Sequence, residues 1–203
     1  MEVLLNREQF KFIVVKNFLP HDILEAWQAR ARTEEYEPGL ISTPTNPDDL
    51  KPQYKRNLNR WYRDPDELCA PYHRAYWSEP IQSAMRAMGD LLFDAQRMVT
   101  SGNFLLSQYN QGDHYDWHQD LTPYTSATWI VQPADQGGLF ELSSDPIKPN
   151  TNPRQVNSTV QNRMALTLEA NDLCIFPSHY YHRVTPVVSG TRVSLQYFCN
   201  RDY

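Results

Sequence analysis

The second half of the chain contains six short apolar or aromatic runs: FLLSQY (104–109), SATWIVQ (126–132), GLFEL (138–142), MALTL (164–168), LCIFP (173–177) and RVSLQYF (192–198). Turn-forming residues separate these runs, as expected of strands in an antiparallel sheet. Many short strands in succession are typical of a β-sandwich or barrel. From about residue 98 onwards, the sequence therefore predicts an all-β core.

The first half of the chain has a different character. Residues 10–15 (FKFIVV) are β-branched and aromatic, which predicts a strand, and residues 21–32 have helical spacing. A second helix is predicted over 78–95, where Ser78 suits the N-cap and the apolar residues recur at i, i+3, i+4 and i+7. We therefore expect an α+β domain in which N-terminal helices pack against a C-terminal β-sandwich.

Two polar segments interrupt this pattern. Residues 34–56 are rich in Pro, Asp and Thr without a clear period, and are expected to form a long surface loop. Residues 144–162 form a polar insertion between two predicted strands. Loops of this length are often lids or binding loops, but neither segment is diagnostic of a substrate.

Composition sets the broad class of the protein. A chain of 203 residues with 40% hydrophobic residues is expected to form one domain, spanning 1–203 with its β core at about 98–201. The net charge of −5 gives no basic surface for nucleic acid, and no segment approaches the run of about 18 apolar residues that a membrane span needs. Three widely spaced Cys indicate neither a disulfide framework nor a Cys-type zinc site. The N-terminus lacks a signal-peptide pattern, so we expect a cytoplasmic protein without a nucleic-acid or membrane partner.

His118-Gln119-Asp120 places an imidazole and a carboxylate two residues apart. On an extended strand, positions i and i+2 point to the same face, so both side chains can reach one metal ion. A third ligand from a distant strand would complete a facial triad that leaves positions open on the metal. His182, after the buried-looking strand 173–176, is the preferred third ligand.

The H-x-D pattern alone does not identify the site. His114-Tyr115-Asp116 is a second H-x-D four residues earlier, and His179 competes with His182 for the distal role. Taken without context, each of these histidines is more often a surface or structural residue than a metal ligand. The wider spacing must therefore decide between them.

A longer pattern surrounds the first pair of ligands: Tyr109-x-x-Gly112-x-x-Tyr115-x-x-His118-x-Asp120, then Gly137-Gly138-x-x-x-Leu142, Phe176-Pro177-Ser178, His182-Arg183-Val184 and Arg192-x-Ser194. Over about residues 100 to 200 it resembles the 2-oxoglutarate and Fe(II)-dependent dioxygenases, in particular their prolyl 4-hydroxylase-like branch. The resemblance implies a double-stranded β-helix, or jelly-roll, core with the N-terminal helices packed on one sheet. The first half of the chain matches only loosely, through a strand, helices and Lys55-Arg56-Asn57.

The resemblance also implies a set of site residues. The iron ligands and catalytic residues fall on His118, Asp120 and His182, and the 2-oxoglutarate anchor falls on Arg192. A planar guanidinium suits this anchor, because it binds a carboxylate bidentately and keeps its charge. Tyr109 matches a family tyrosine that supports the same carboxylate, and Ser194 on the face of Arg192 can add a hydrogen bond. The implied cofactors are Fe(II), 2-oxoglutarate as cosubstrate and O2, with ascorbate as a reductant.

The implied reaction hydroxylates an unactivated C–H bond and releases succinate and CO2. The expected partner is a peptide, protein or small-molecule substrate: a prolyl residue, free proline, or another small metabolite or amino acid. Arg60, Trp61 and Tyr62 offer stacking and anion-pairing groups for it, although a solvated basic turn beside a packed Trp explains them equally well. A jelly-roll protein that binds zinc or has lost catalysis is the alternative, but Arg192 and the complete ligand set count against it. The oligomeric state is left open.

Overall fold

The computed structural model describes residues 2–5, 11–39, 55–62, 98–120, 125–144 and 160–201. Its elements are, in chain order, β1 (Glu2–Leu5), β2 (Ile13–Lys16), α1 (His21–Ala31), β3 (Glu37–Pro38), β4 (Lys55–Arg56), β5 (Leu58–Tyr62), β6 (Met98–Tyr109), β7 (His114–His118), β8 (Thr125–Gln132), β9 (Gln136–Gly137), β10 (Phe140–Ser143), β11 (Arg163–Leu166), β12 (Leu173–Pro177), β13 (Tyr181–Val184), β14 (Val187–Ser189) and β15 (Arg192–Arg201). None of the helices in these ranges is long and apolar enough to cross a membrane.

Two antiparallel sheets form the core. The major sheet has eight strands in the order β1-β2-β12-β8-β15-β6-β5-β3, and the minor sheet has five in the order β11-β10-β13-β7-β4. Strands β14 and β9 make a separate two-stranded ribbon. Sequential strands are thus distributed between facing sheets. The predicted α+β class, with a β core in the second half and a helix on one sheet, is confirmed.

Alternation along β15 shows how the major sheet is buried on both faces. Val193, Leu195 and Tyr197 belong to the cluster that packs against α1, whereas Arg192 and Ser194 are buried on the other face. Because side chains of a strand alternate between faces, one strand supplies both an apolar core and a polar interior surface. The face that carries Arg192 looks toward the minor sheet.

Helix α1 is held on the outer face of the major sheet by aromatic packing. The Trp27 ring lies edge-on to Trp129 of β8 and to Tyr62 of β5, with both centroid distances 6.2 Å. All three rings are at most 2% exposed. Burial of such large rings, together with their edge-to-face geometry, fixes the helix on the sheet.

Several predictions of local structure can be compared with the described residues. The helix predicted over 21–32 is observed as α1, and the strand predicted over 10–15 is observed as β2, shifted toward its C-terminal end. The predicted loop 34–56 contains short strand segments at both ends, β3 and β4, while its residues 40–54 lie outside the described ranges. The helix predicted over 78–95 and most of the insertion 144–162 also lie outside them. The single-domain organisation of 1–203 stays a prediction.

Asn171 joins the N-terminal segment to the major sheet. Its backbone φ is 70°, as the sequence of the turn before β12 allows. The Asn171 Oδ1 atom accepts hydrogen bonds from the backbone N–H of Leu19 (3.0 Å) and from Nε1 of Trp129 (3.1 Å), and its Nδ2 donates to the Leu19 carbonyl (2.6 Å). One buried amide therefore satisfies three groups from two separate elements.

Replacing Asn171 is expected to destabilise the fold in two distinguishable ways. The Asn171→Gly variant accepts the positive φ but leaves buried polar groups unpaired, which should lower the free energy of unfolding by about 2–4 kcal/mol. The Asn171→Ala variant loses the same bonds and adds roughly 1 kcal/mol of backbone strain. Denaturant unfolding of both variants measures the two contributions. A loss below 1 kcal/mol in the glycine variant would show that these bonds contribute little.

Candidate metal and cosubstrate site

Three side chains predicted as ligands converge between the sheets. His118 ends β7, Asp120 follows two residues later, and His182 on β13 lies opposite His118 in the antiparallel register. One ligand atom from each side chain lies within 4.8 Å of the others. The Nε2 atom of His182 is 3.6 Å from Oδ2 of Asp120, and the two imidazole centroids are 4.0 Å apart. The geometry suits a single ion held by two nitrogens and one oxygen.

Backbone carbonyls fix the orientation of both imidazoles. Nδ1 of His118 lies 2.8 Å from the carbonyl oxygen of Asp116, and Nδ1 of His182 lies 3.1 Å from that of Tyr180. Since a carbonyl only accepts hydrogen bonds, each neutral ring carries its proton on Nδ1. Nε2 of each ring therefore carries the lone pair that can bind a metal, as is usual when a second group orients a ligating histidine.

A β-bulge separates the two H-x-D sequences. His182 pairs with His118, but Val184 pairs with Tyr115, so two steps along β13 correspond to three along β7. The extra residue changes which side chains face inward. Tyr115 consequently lines the cavity and stacks on the His118 ring at a centroid distance of 3.5 Å. His114 and Asp116 are absent from the described cavity lining.

The side chain of His179 does not join this group in the described structure. It is exposed in the turn after β12, and partial desolvation lowers the pKa of its imidazole. Its backbone carbonyl accepts a hydrogen bond from Nε2 of Gln119 at 2.6 Å. The His179 backbone therefore ties the turn before His182 to the segment that carries Asp120.

Arg192 lies in the same cavity as the three converging side chains. It opens β15, pairs with Tyr109 of β6 and is only 3% exposed. Its Nη1 donates to Oγ of Ser194 at 2.5 Å, whereas its buried Nη2 has no hydrogen-bond partner. Burial lowers the pKa of the guanidinium, but arginine keeps its charge at neutral pH. A buried cation with an unused donor is well suited to an anionic ligand.

Tyr109 supports the same end of the cavity. The guanidinium carbon of Arg192 is 5.5 Å from the centroid of its ring. Burial raises the pKa of the Tyr109 phenol to about 12, although Arg192 opposes the shift. The phenol is thus protonated at neutral pH and can donate a hydrogen bond.

The glycine pair is packed against this cluster. Gly137 and Gly138 have φ values of 73° and 59°, which L side chains rarely adopt. A Cβ on Gly138 would lie 3.2 Å from Cδ of Arg192. Gly137 ends β9, and the absence of a side chain at Gly138 makes room for the stem of Arg192.

The cavity enclosed by these residues measures about 520 Å³ including its mouth, and it is lined by the three converging side chains, Tyr109 and Arg192. Residues 104–200 match the family model of the 2OG-Fe(II) oxygenase superfamily.

Individual relatives agree with this match. A PKHD-type hydroxylase of Idiomarina loihiensis is 26% identical over 90 residues, which cover 44% of this chain and 38% of that protein. A prolyl-4-hydroxylase of Pseudomonas putida superposes with a TM-score of 0.66 at 17% identity, covering 96% of this chain and 94% of that one. A Trichoplax adhaerens prolyl hydroxylase, solved with a hypoxia inducible factor peptide fragment, gives 0.66 at 16% identity over 94% and 83%. The similarity of the structures confirms the predicted jelly-roll fold.

Ser194 lies beside Arg192 and contacts its guanidinium directly. It is fully buried and is absent from the described lining of the cavity. Its Oγ accepts hydrogen bonds from Nη1 of Arg192 and, at 2.8 Å, from Nε2 of Gln196. Ser194 therefore holds the arginine in place, and direct contact with a cosubstrate stays a prediction.

The three residues predicted to bind substrate divide between the two faces of β5. Tyr62 is buried among the aromatic rings beneath α1, and Arg60 lies 5.6 Å above its ring and 3.7 Å from Glu34. Trp61 points the other way, is 40% exposed and stacks on Phe198, which lines the cavity. Of the three side chains, Trp61 lies beside the cavity and the other two lie on the opposite face of β5. A substrate role for any of them stays a prediction.

Sequence reasoning missed polar residues of the cavity lining. Thr128 of β8 and Gln196 of β15 are paired in the major sheet. Both line the cavity, as do Ser126 of β8 and Ser107 of β6. The Oγ1 atom of Thr128 is buried without a hydrogen-bond partner. Strand alternation could have identified Gln196, since residues 192, 194, 196 and 198 share one face of the strand RVSLQYF.

Proposed function

We propose that this chain is an Fe(II)- and 2-oxoglutarate-dependent dioxygenase that hydroxylates an unactivated C–H bond of a prolyl residue in a peptide or protein. The observation that carries the proposal is the position of Arg192: a buried guanidinium with a free donor shares one cavity with two histidines and an aspartate. A metal site alone does not require that cation.

The three side chains fit iron. Two imidazoles and one carboxylate form the ligand set of the non-haem Fe(II) oxygenases, and such a set leaves positions open for other ligands. His118 and His182 present Nε2 because their Nδ1 protons are held by backbone carbonyls. Zinc accepts the same ligands, but a zinc hydrolase has no need of a buried carboxylate-binding arginine beside them.

The far end of the cavity fits the distal carboxylate of 2-oxoglutarate. Arg192 offers its unpaired Nη2, and Tyr109 offers a phenol that is protonated at neutral pH. Charge-assisted hydrogen bonds of this kind are the strong ones in a buried site. Ser194 holds the guanidinium by accepting a hydrogen bond from its Nη1, and Gly138 leaves room for the stem of the arginine.

When both are bound, iron and 2-oxoglutarate supply the oxidation: one atom of O2 enters the C–H bond and the other enters succinate, with loss of CO2. The protein supplies orientation and a shielded site. His118, Asp120 and His182 would hold the metal, and Arg192 would orient the cosubstrate. Apolar side chains of both sheets (Leu105, Phe140, Phe176, Val184 and Phe198) line the space around them and restrict water.

The charge of the cavity favours a prolyl residue over free proline. Within the described lining, charged side chains occur only in the proposed metal-ligand set and at Arg192. Free proline carries an ammonium and a carboxylate, and each would be desolvated there without a partner. Within a peptide chain, the same ring carries no charge.

Turnover of 2-oxoglutarate tests the proposal. Protein prepared without oxygen and loaded with Fe(II) should form succinate when O2 is admitted, and zinc should not replace iron. Proline-containing peptides should gain the mass of one oxygen and should raise succinate formation, whereas free proline should do neither. Absence of succinate under these conditions would refute the dioxygenase proposal. Hydroxylation of free proline but not of peptides would refute only the proposal of a prolyl residue as substrate.

Trp61 provides a separate test of the substrate side. The Trp61→Ala variant should raise the KM for a productive peptide roughly 2- to 10-fold, because a stacked aromatic contact contributes about 0.5–1.5 kcal/mol. The KM for 2-oxoglutarate should not change. The matched control is Arg60→Ala, whose side chain lies on the opposite face of β5. Equal effects of the two variants on peptide KM would contradict contact between Trp61 and the substrate.

A further inference from the structure

Asp120 receives little support from the strand that precedes it. Strand β7 ends at His118, so Asp120 lies beyond the regular ladder. Its backbone N–H donates to the carbonyl of Ser178 at 3.1 Å, in the turn that follows β12. Its carboxylate must therefore be oriented by side chains from other elements.

Two buried serines provide this support. Oγ of Ser126 on β8 lies 2.5 Å from Oδ2 of Asp120, and Oγ of Ser178 lies 2.9 Å from Oγ of Ser126. Both serines are at most 2% exposed. The oxygen contacted by Ser126 is the same Oδ2 that lies 3.6 Å from Nε2 of His182.

The chemistry of the groups fixes the direction of this chain of hydrogen bonds. An ionised carboxylate only accepts, so Ser126 must use its single proton for Asp120. Ser178 must then donate to Ser126. Successive donation in one direction polarises each hydroxyl and strengthens the final bond to the carboxylate.

We infer that Ser126 is a positioning residue for the metal-ligating carboxylate of Asp120, and that the hydroxyl of Ser178 acts on the metal only through Ser126. The inference rests on the metal site of the proposed function. Groups that orient metal ligands commonly change metal affinity or activity by about 10- to 100-fold when they are removed. Ser178 adds a second link, because its backbone carbonyl also holds the N–H of Asp120.

Titration with Co(II), followed by its visible absorption bands, tests this inference without turnover. The Ser126→Ala variant should bind Co(II) about 10- to 100-fold more weakly and should shift the absorption bands, because the carboxylate is free to rotate. The Ser126→Thr variant keeps the hydroxyl and should recover affinity and spectrum. Thermal unfolding of the metal-free variants separates a local effect from a general loss of stability.

The double variant tests the direction of the relay. If Ser178 acts through Ser126, Ser178→Ala should weaken Co(II) binding less than Ser126→Ala, and the double variant should match Ser126→Ala. Additive losses would overturn the relay, and wild-type affinity in Ser126→Ala would overturn the role of Ser126. Failure of the wild-type protein to bind Co(II) would instead refute the proposed metal site.

Discussion

Succinate formation will fall on the order of 1,000-fold or more in His118→Ala and Asp120→Ala, because the iron that would supply the oxidation is no longer held. The corresponding changes in the neighbouring pair, His114→Ala and Asp116→Ala, will leave most of the activity. The two sets of variants are matched in residue type and lie four residues apart in the sequence. They differ in that His118 and Asp120 line the cavity, whereas His114 and Asp116 are absent from its described lining.

The measurement is initial succinate formation at saturating Fe(II), accompanied by Fe(II) or Co(II) affinity for each variant. Burial raises the pKa of Asp116, and Arg183 is among the charges that oppose the shift, so thermal unfolding should accompany its variant. If His114→Ala and Asp116→Ala abolished metal binding while His118→Ala and Asp120→Ala retained it, the ligand assignment would be reversed. Loss in all four variants without loss of fold would show that the bulge does not separate the pairs.

The bulge also shows where sequence reasoning stops. Strict alternation would place 114, 116 and 118 on one face, so periodicity cannot choose between the two H-x-D pairs. One inserted residue reverses the faces, and a bulge leaves no clear signature in composition. The spacing from Tyr109 and Gly112 therefore had to identify the pair, and the structure supplies the physical reason for that spacing.

Alternation predicted much of the site and the core. It placed Arg192 and Ser194 on one face of β15, and the short apolar runs predicted β6, β8, β10, β11, β12 and β15. It could not assign a partner to each polar atom, because the pairing depends on strands that are distant in sequence. Ser194 thus supports Arg192 through its hydroxyl, and Gln196 and Thr128 were overlooked on the same interior surface.

The segment around β5 shows a different limit. Arg60, Trp61 and Tyr62 are adjacent and chemically suited to a ligand, yet the pleat of the strand sends Tyr62 into the core and Trp61 toward the cavity. Which face meets the helix depends on α1 packing against Tyr62, a contact between separate elements. Local sequence identified the chemistry of this segment but not its direction.

Replacing Arg192 should weaken the binding of 2-oxoglutarate without lowering the stability of the protein that lacks 2-oxoglutarate. In Arg192→Met, the dissociation constant for 2-oxoglutarate should rise about 100- to 5,000-fold, because breaking a buried ion pair typically costs about 3–5 kcal/mol. Without 2-oxoglutarate the same variant should be as stable as the wild type or more stable, since a buried cation with an unpaired Nη2 is replaced by an apolar side chain. Arg192→Lys keeps the charge but not the planar fork, so its affinity should be intermediate.

Denaturant unfolding with and without cosubstrate reveals both effects in one experiment. With 2-oxoglutarate at 100 times its dissociation constant, the iron-loaded wild type should gain about 2.7 kcal/mol, and at that concentration Arg192→Met should gain little. Arg183→Met is the control, because Arg183 pairs with Glu141 at 2.6 Å and should leave cosubstrate binding unchanged. If Arg192→Met kept its affinity, the anchor would lie elsewhere. If Arg192→Met instead unfolded in the absence of 2-oxoglutarate, Arg192 would be a structural residue. A residue that only binds the cosubstrate can be replaced without loss of the cosubstrate-free fold.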